Sequence, residues 1–192
     1  MTPATKTEPR AQRADARRNR ERVLESARAV FAERGLDAQI DEIARGAGVG
    51  VGTVYRHFPT KEELLEALAQ ARFEGLAEHA RQALDATDGW QGFVDFMTYS
   101  ARVMAEDRLL SEAMDQRPEA CGRAASGVQL IELVGALVDR AKATGELRED
   151  TGPWDVPGLI CGIGRAERAA PGAPALTWER HLEIILAGLR AR

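Results

Sequence analysis

The chain is poor in aromatic residues, cysteine and histidine, and it has no long apolar run. Phe, Trp and Tyr make up 5% of its 192 residues, and it contains two cysteines and three histidines. No apolar run approaches the roughly 18 residues needed to cross a bilayer. The first residues also lack the apolar segment of a secretory signal. These absences predict a cytoplasmic protein with no membrane partner.

The few cysteines and histidines form no pattern typical of a metal or catalytic site. Cys121 and Cys161 lie far apart in the sequence and fit no metal-ligand spacing, so packed, reduced thiols are the simplest interpretation. His57, His79 and His181 are isolated from any residues that would complete a nucleophile or metal arrangement. We therefore predict no metal, no cofactor and no enzymatic activity.

The residues that are abundant favour helices. Ala, Leu, Arg and Glu dominate and β-branched runs are scarce, so the sequence predicts an all-α fold. The hydrophobic content of 44% and the charged content of 29% are ordinary for a soluble globular protein.

Charge is distributed unevenly along the chain. Residues 1–61 contain 12 Lys and Arg against 8 Asp and Glu, whereas the remainder contains 14 against 22, which gives the net charge of −4. A basic N-terminal segment followed by an acidic remainder is typical of a small DNA-binding domain joined to a larger regulatory one. Residues 1–15 could be a solvated tail or an arm that contacts phosphates, and the two interpretations are compatible. Six arginines fall within residues 10–22: Arg10, Arg13, Arg17, Arg18, Arg20 and Arg22.

Three short helices are predicted near the N-terminus, over about 17–34, 40–46 and 50–57. Apolar residues recur at helical spacing in the first, and Gly48 provides a turn between the second and third. Pro59 ends the third helix. The segment Thr60 to Glu63 has the spacing of a capping box and predicts the start of a fourth helix.

The segment from Ile40 to Phe58 has the form of two helices joined by a tight turn. The second helix carries polar, aromatic and basic residues on one side, with Val54 and Phe58 on the other, a form suited to a DNA groove. The alternative is that Tyr55 and His57 merely pack the domain surface. The alternating glycines here do not indicate a phosphate-binding loop, because a helix precedes them and no lysine follows the last.

This region closely resembles the TetR family of bacterial transcriptional regulators over residues 17–68. The resemblance implies an N-terminal helix-turn-helix domain of three helices followed by a larger helical ligand-binding and dimerisation domain. The matching residues are Ile43-Ala44, Ala47-Gly48-Val49, Gly52-Thr53-Val54-Tyr55, His57-Phe58 and Lys61-Glu62-x-Leu64.

The resemblance also implies which residues contact DNA. Three positions depart from the usual family pattern, namely Gln39, Gly50 and Val51, and these leave the details of base recognition open. The implied DNA-contacting residues are Gln39, Thr53, Tyr55, Arg56, His57 and Lys61.

The whole chain is predicted to contain about nine helices. We assign residues 1–16 to a flexible basic arm, 17–62 to the helix-turn-helix domain and 63–192 to the regulatory domain. Within the last, the segment from Pro118 to Gly122 is expected to break the helical structure, and residues 170–174 are expected to form a loop.

Two sites are expected in the regulatory domain. An aromatic and methionine stripe could line an effector pocket, although such a stripe is more often plain core, and the last two helices could form a dimer interface or merely close the core. The candidate pocket residues are Trp90, Phe93, Phe96, Met97, Met104 and Met114. The candidate interface residues are Gly158, Cys161, Gly162, Gly164, Trp178, Leu182, Ile185, Leu186 and Leu189.

The sequence thus predicts a TetR-like regulator that binds a palindromic double-stranded DNA operator as a homodimer. A small-molecule effector of unknown identity would release this repressor. Two alternatives remain: a DNA-architectural protein without an effector, and an interaction protein whose helix-turn-helix no longer binds DNA.

Overall fold

The protein is all-α in the computed structural model, which describes residues 8–169 and 177–191. These residues form ten helices and divide into two compact units, Met1–Leu68 and Ala69–Arg192. The helices are α1 (Glu8–Arg34), α2 (Ile40–Ala47), α3 (Val51–His57), α4 (Lys61–Leu84), α5 (Gly89–Glu106), α6 (Arg108–Gln116), α7 (Pro118–Gly127), α8 (Leu130–Ala143), α9 (Asp155–Ala169) and α10 (Trp178–Leu189).

The first unit is a three-helix domain completed by the start of α4. Helix α1 begins at Glu8 rather than at Arg17, so residues 8–16, predicted as flexible arm, are helical, while residues 1–7 lie outside the described residues. Ala and Arg are among the best helix formers, which accounts for this extension. The buried core of this unit includes Val23, Ala27, Phe31, Leu36, Ile43, Val54, Phe58, Leu64 and Leu65.

Helices α1 and α2 cross closely at a serine and a glycine. The buried Ser26 hydroxyl donates to the Ile43 carbonyl at 2.8 Å. A Cβ atom at Gly46 would lie 2.4 Å from the Ser26 Oγ, so no larger residue fits there without moving the hydroxyl. The buried Ala44 is equally small on the same helix. The crossing fixes α2 on α1 and therefore sets where α3 can lie.

The expected cap at the start of α4 is present in part. The Thr60 hydroxyl accepts a hydrogen bond from the Glu63 backbone N–H at 3.1 Å. Helix α4 then runs without interruption to Leu84, and the boundary between the two units falls inside it, after Leu68.

In the second unit, α5 packs against α8, α9 and α10. Two glycines allow close approach at its start: a Cβ at Gly89 would lie 2.5 Å from the Arg140 carbonyl oxygen, and one at Gly92 would lie 2.4 Å from that of Ala83. The Arg140 guanidinium donates to the Ala86 carbonyl at 2.6 Å and also to the Leu84 carbonyl. This contact satisfies the Leu84 carbonyl at the end of α4, which has no partner within the helix, and the Ala86 carbonyl just beyond it.

The break expected from Pro118 to Gly122 is wrong, because these residues form the first half of α7. Proline is favoured in the first turn of a helix, where its missing N–H is not needed, and Pro118 occupies that position. The additional helix raises the number in the described residues from about nine to ten.

Arg190, which follows α10, contacts the rest of the second unit through its backbone and its side chain. Leu147 and Arg190 form an isolated antiparallel bridge, and the Arg190 guanidinium lies 4.9 Å from the centre of the Trp90 ring. The loop expected over residues 170–174 lies outside the described residues. In the part of the chain that the structure describes, no single helix is long and apolar enough to span a membrane; only the pair α7 and α8, bent by 71°, reaches that length and composition together.

Candidate functional site

The turn between α2 and α3 is made by Gly48 in the left-handed conformation. Its φ is +62°, which a residue with a side chain rarely adopts, and its N–H donates to the Arg45 carbonyl at 3.1 Å. The next N–H, of Val49, donates to the Ala44 carbonyl at 3.0 Å. The turn gives α3 its fixed direction away from α2.

Helix α3 is anchored on one side and open on the other. Val54 is fully buried and Phe58 nearly so, as expected for the side of the helix away from its polar residues. Tyr55 is 48% exposed, and Arg56 is also exposed. Together with the half-buried Thr53, these two residues form what we call the outer face of α3. A phenol, a guanidinium and a hydroxyl offer hydrogen bonds to phosphates and base edges.

His57 lies at the edge of this face and is half-buried. Its Nε2 atom is buried and has no hydrogen-bond partner among the described residues, so a DNA contact would fall to the Nδ1 atom. Burial lowers the pKa of His57 below 6.5, and the nearby charges of Arg56 and Arg20 lower it further. Both effects favour the neutral form of the imidazole.

Gln39 and Lys61 lie at two helix starts in the first unit. Gln39 precedes α2, is exposed, and its Nε2 donates to the Asp37 carbonyl at 3.1 Å. Lys61 is the first residue of α4, and its ammonium lies 5.7 Å from the centre of the Phe31 ring. Helix N-termini favour phosphates through their free N–H groups.

Two glycines keep the surface near α3 open. Gly50 is the residue before α3 and Gly52 is in its first turn, and no atom lies within 4 Å of a Cβ built at either position. The sequence had not assigned a function to them. Because they carry no side chain, DNA can approach the α3 backbone closely.

The second unit contains a cavity of about 330 Å³, within the ~300–1,000 Å³ range of small-molecule sites. Helices α4 to α9 all contribute to its wall, which is largely apolar. The lining residues are Phe73, Leu76, Phe96, Ser100, Met104, Met114, Pro118, Cys121, Gly122, Ala125, Ser126, Leu130, Ile131, Val134, Trp154, Val156, Pro157, Ile160 and Cys161.

Three of the six predicted pocket residues line this cavity, namely Phe96, Met104 and Met114. The other three, Trp90, Phe93 and Met97, do not line it and are buried elsewhere in the core. Residues four apart share one side of a helix, so α5 turns Phe96, Ser100 and Met104 toward the cavity while the stripe of Phe93 and Met97 faces the core. Position in the sequence alone did not separate these two stripes.

The predicted interface residues are divided by burial. Gly164 is packed inside the chain, where a Cβ would lie 2.6 Å from the Ser111 Oγ and 3.1 Å from the Met104 carbonyl oxygen. Leu182 and Leu189 are also buried, and Cys161 lines the cavity. Gly158 and Gly162 have no atoms within 4 Å of a Cβ, and Trp178, Ile185 and Leu186 are half-buried. Ile184, which is not among the predicted interface residues, is 55% exposed.

The two units match two parts of one known family. Residues 23–68 match the bacterial regulatory proteins of the TetR family, and residues 88–191 match the C-terminal domain of SbtR-like transcriptional regulators. The chain belongs to the TetR family. As a member of this family, it is a DNA-binding transcriptional regulator rather than an enzyme.

Individual TetR relatives agree with this assignment. The transcriptional repressor KstR of Mycolicibacterium smegmatis is 34% identical over 140 residues, which are 70% of this chain and 68% of KstR. The crystal structure of a TetR regulator from Mycobacterium vanbaalenii is 37% identical and superimposes with a TM-score of 0.59, covering 94% of this chain and 99% of that one. RolR in complex with resorcinol, at 23% identity and a TM-score of 0.65, covers 92% of this chain and 89% of its own and shares the fold.

Proposed function

We propose that the chain is a homodimeric repressor that binds a palindromic operator through α2 and α3 and is released by a small molecule held in the cavity. The outer face of α3 is the observation that supports DNA contact most strongly. It presents Tyr55 and Arg56 to solvent, while the buried Val54 anchors the helix in the core. The proposed contacts are Gln39, Thr53, Tyr55, Arg56, His57 and Lys61.

A dimer is proposed because one helix-turn-helix contacts too few base pairs for selective binding. Two-fold symmetry of the protein then corresponds to a palindrome in the DNA. The surfaces that support an interface are the open side of α9 at Gly158 and Gly162 and the partly exposed residues Trp178, Ile185 and Leu186 of α10. The exposed Ile184 extends this apolar surface. Gly164, Leu182 and Leu189 are not included, because the chain already buries them.

Effector release is proposed from the cavity and from one helix that connects the two proposed sites. Phe73 and Leu76 of α4 line the cavity, and the same helix begins with Lys61. A ligand that binds one arrangement of α4 better than another shifts the population of DNA-bound protein. The KstR relatives are named repressors, and RolR was solved with resorcinol, which supports the same class of function here.

A mobility-shift assay on the DNA upstream of the protein's own gene tests this proposal. We expect one sharp complex that competitor DNA of unrelated sequence does not remove. A ladder of complexes insensitive to sequence would favour the architectural alternative, and absence of any shift would favour an interaction protein. Sedimentation of the intact chain as a monomer at micromolar concentration, with or without DNA, would overturn the dimer.

The effector half is tested separately from DNA binding. Small molecules that raise the melting temperature of the intact chain are added to the preformed complex. We expect at least one of them to dissociate it. If every stabilising molecule leaves the complex intact, effector release is wrong while DNA binding stands.

A further inference from the structure

One polar side chain that lines the cavity has no hydrogen-bond partner among the residues that the structure describes. Ser100 lies on α5 between Phe96 and Met104, is 4% exposed, and lines the cavity. Its Oγ has no hydrogen-bond partner among the described residues. A buried hydroxyl without a partner is costly, and native proteins satisfy nearly all such groups. A helical serine can also donate to its own backbone one turn earlier, but this one does not.

The rest of the wall offers no fixed charge. In the described parts of the chain, no Lys, Arg, His, Asp or Glu lines the cavity. Burial raises the pKa of Cys121 to about 11 and also raises the pKa of Cys161, so both thiols stay protonated at neutral pH. The charged residues that influence the pKa of Cys161 are Asp115, Arg165 and Arg168. Asp115 forms ion pairs with both arginines, and none of the three lines the cavity.

A charged group placed against the buried wall beside Ser100 would lose its hydration without gaining a partner, which is far more costly than leaving one neutral polar group unpaired. An apolar molecule with no polar group would leave the Ser100 hydroxyl unsatisfied. The ligand that removes both costs is uncharged, largely apolar, and carries one hydroxyl or carbonyl.

We propose that Ser100 is the specificity-determining residue of the cavity and that the ligand is an uncharged, apolar molecule whose single hydroxyl or carbonyl hydrogen-bonds to the Ser100 Oγ. This inference rests on the proposed effector function, because it names the chemical class held at the same site. It assigns to Ser100 a role that the methionine and aromatic stripe did not indicate.

Three probes of one skeleton test the assignment: 4-pentylphenol, pentylbenzene and 4-pentylbenzoate. They carry a neutral hydroxyl, no polar group and a negative charge respectively. Their affinities for the intact chain are measured by calorimetry. Trp154, which is 73% exposed and lines the cavity, provides a second signal by fluorescence that Trp154→Phe removes.

We expect the phenol to bind about tenfold more tightly than pentylbenzene, as one satisfied hydrogen bond in a buried site predicts. The benzoate should bind at least another tenfold more weakly than pentylbenzene. Ser100→Ala should bring the phenol to the affinity of pentylbenzene and leave pentylbenzene unchanged.

Two serine variants serve as matched controls. Ser126→Ala removes the other serine of the lining, which is exposed, and Ser111→Ala removes a buried, unpartnered serine outside the cavity. Both should keep the tenfold preference for the phenol. The proposal is overturned if Ser100→Ala keeps that preference, if the benzoate binds as tightly as the phenol, or if none of the probes binds.

These failures are distinct from failure of the proposed function. The probe affinities are measured without DNA, so loss of the Ser100 preference leaves effector release intact. Conversely, a probe that binds through Ser100 but never dissociates the DNA complex supports the assignment and contradicts effector release by that class.

Discussion

Val54 and Tyr55 are neighbours on α3, yet Val54 lies in the core of the domain and Tyr55 faces solvent. Val54 is 0% exposed, whereas Tyr55 is 48% exposed. One peptide bond thus separates a residue that holds the helix from one that is free to contact DNA. The two positions should respond to substitution in opposite ways.

We expect Tyr55→Phe to weaken DNA binding by the dimer about 30-fold, because each of its two α3 helices loses one hydrogen bond worth about 1 kcal/mol. The melting temperature should stay nearly unchanged. Val54→Ala removes buried apolar volume and should destabilise the domain by roughly 2 kcal/mol. Fluorescence anisotropy with labelled upstream DNA and thermal unfolding measure the two effects. A large fall in melting temperature for Tyr55→Phe would mean that the tyrosine is structural.

Gly46→Ala should destabilise the first unit despite the better helix propensity of alanine. The new methyl group would lie 2.4 Å from the Ser26 Oγ and displace it from its hydrogen bond to Ile43. Losing a buried hydrogen bond costs ~1–3 kcal/mol, more than the ~1 kcal/mol that alanine gains over glycine in a helix. Thermal and denaturant unfolding of the intact chain measure the balance.

Gly52→Ala is the matched control for that substitution. It also lies in a helix, but nothing lies within 4 Å of its Cβ, so it should stabilise the chain slightly. Equal effects of the two substitutions on stability would contradict the close crossing of α1 and α2.

Low pH should destabilise the chain partly through His57. Its pKa in the folded chain is lowered from 6.5 by burial and by two arginines, so the unfolded chain binds more protons in this range. Stability is therefore full above about pH 6.5 and is lost as the pH falls from there through the folded pKa. His57→Gln should flatten the decline of the melting temperature between pH 7.5 and 5.5. His79→Gln, at a half-buried histidine hydrogen-bonded to Asp95, provides the comparison. An identical decline in wild type and His57→Gln would exclude the His57 contribution.

Lys61→Gln should weaken DNA binding to all sequences similarly and reduce its salt dependence. One phosphate contact per chain contributes roughly −0.9 to the slope of log K against log salt, so a dimer should lose about twice that. Lys142→Gln, in α8 of the second unit, should change neither quantity. An unchanged salt slope for Lys61→Gln would show that Lys61 makes no phosphate contact.

The helix-turn-helix could be predicted from sequence because its signals are local. Gly48, the apolar Val54 and Phe58, and the Thr60 cap each determine backbone geometry within a few residues, and the structure has all of them. By contrast, Pro118 predicts a break from its sequence alone, yet it begins α7. A proline looks the same in the sequence whether it ends one helix or begins the next, and only the packing of the following helix distinguishes the two.

The candidate sites of the second unit depended on tertiary contacts that the sequence does not show. Phe93 and Phe96 are both buried aromatic residues on α5, yet only Phe96 lines the cavity. Gly158 and Gly164 are both glycines of α9, yet Gly164 is packed against Ser111 while Gly158 is open. Ser100 could have been found from its spacing, because it lies four residues from both Phe96 and Met104 on one side of the helix.

A hydroxyl-radical footprint of the upstream DNA tests the central claim most directly. Two chains that each insert α3 into a major groove should protect two half-sites related by two-fold symmetry, with centres one helical turn or a multiple of it apart. Arg56→Ala should remove both protected regions together, and the molecule that releases the complex should do the same. A single protected region, or uniform protection along the DNA, would contradict a dimeric, sequence-specific repressor.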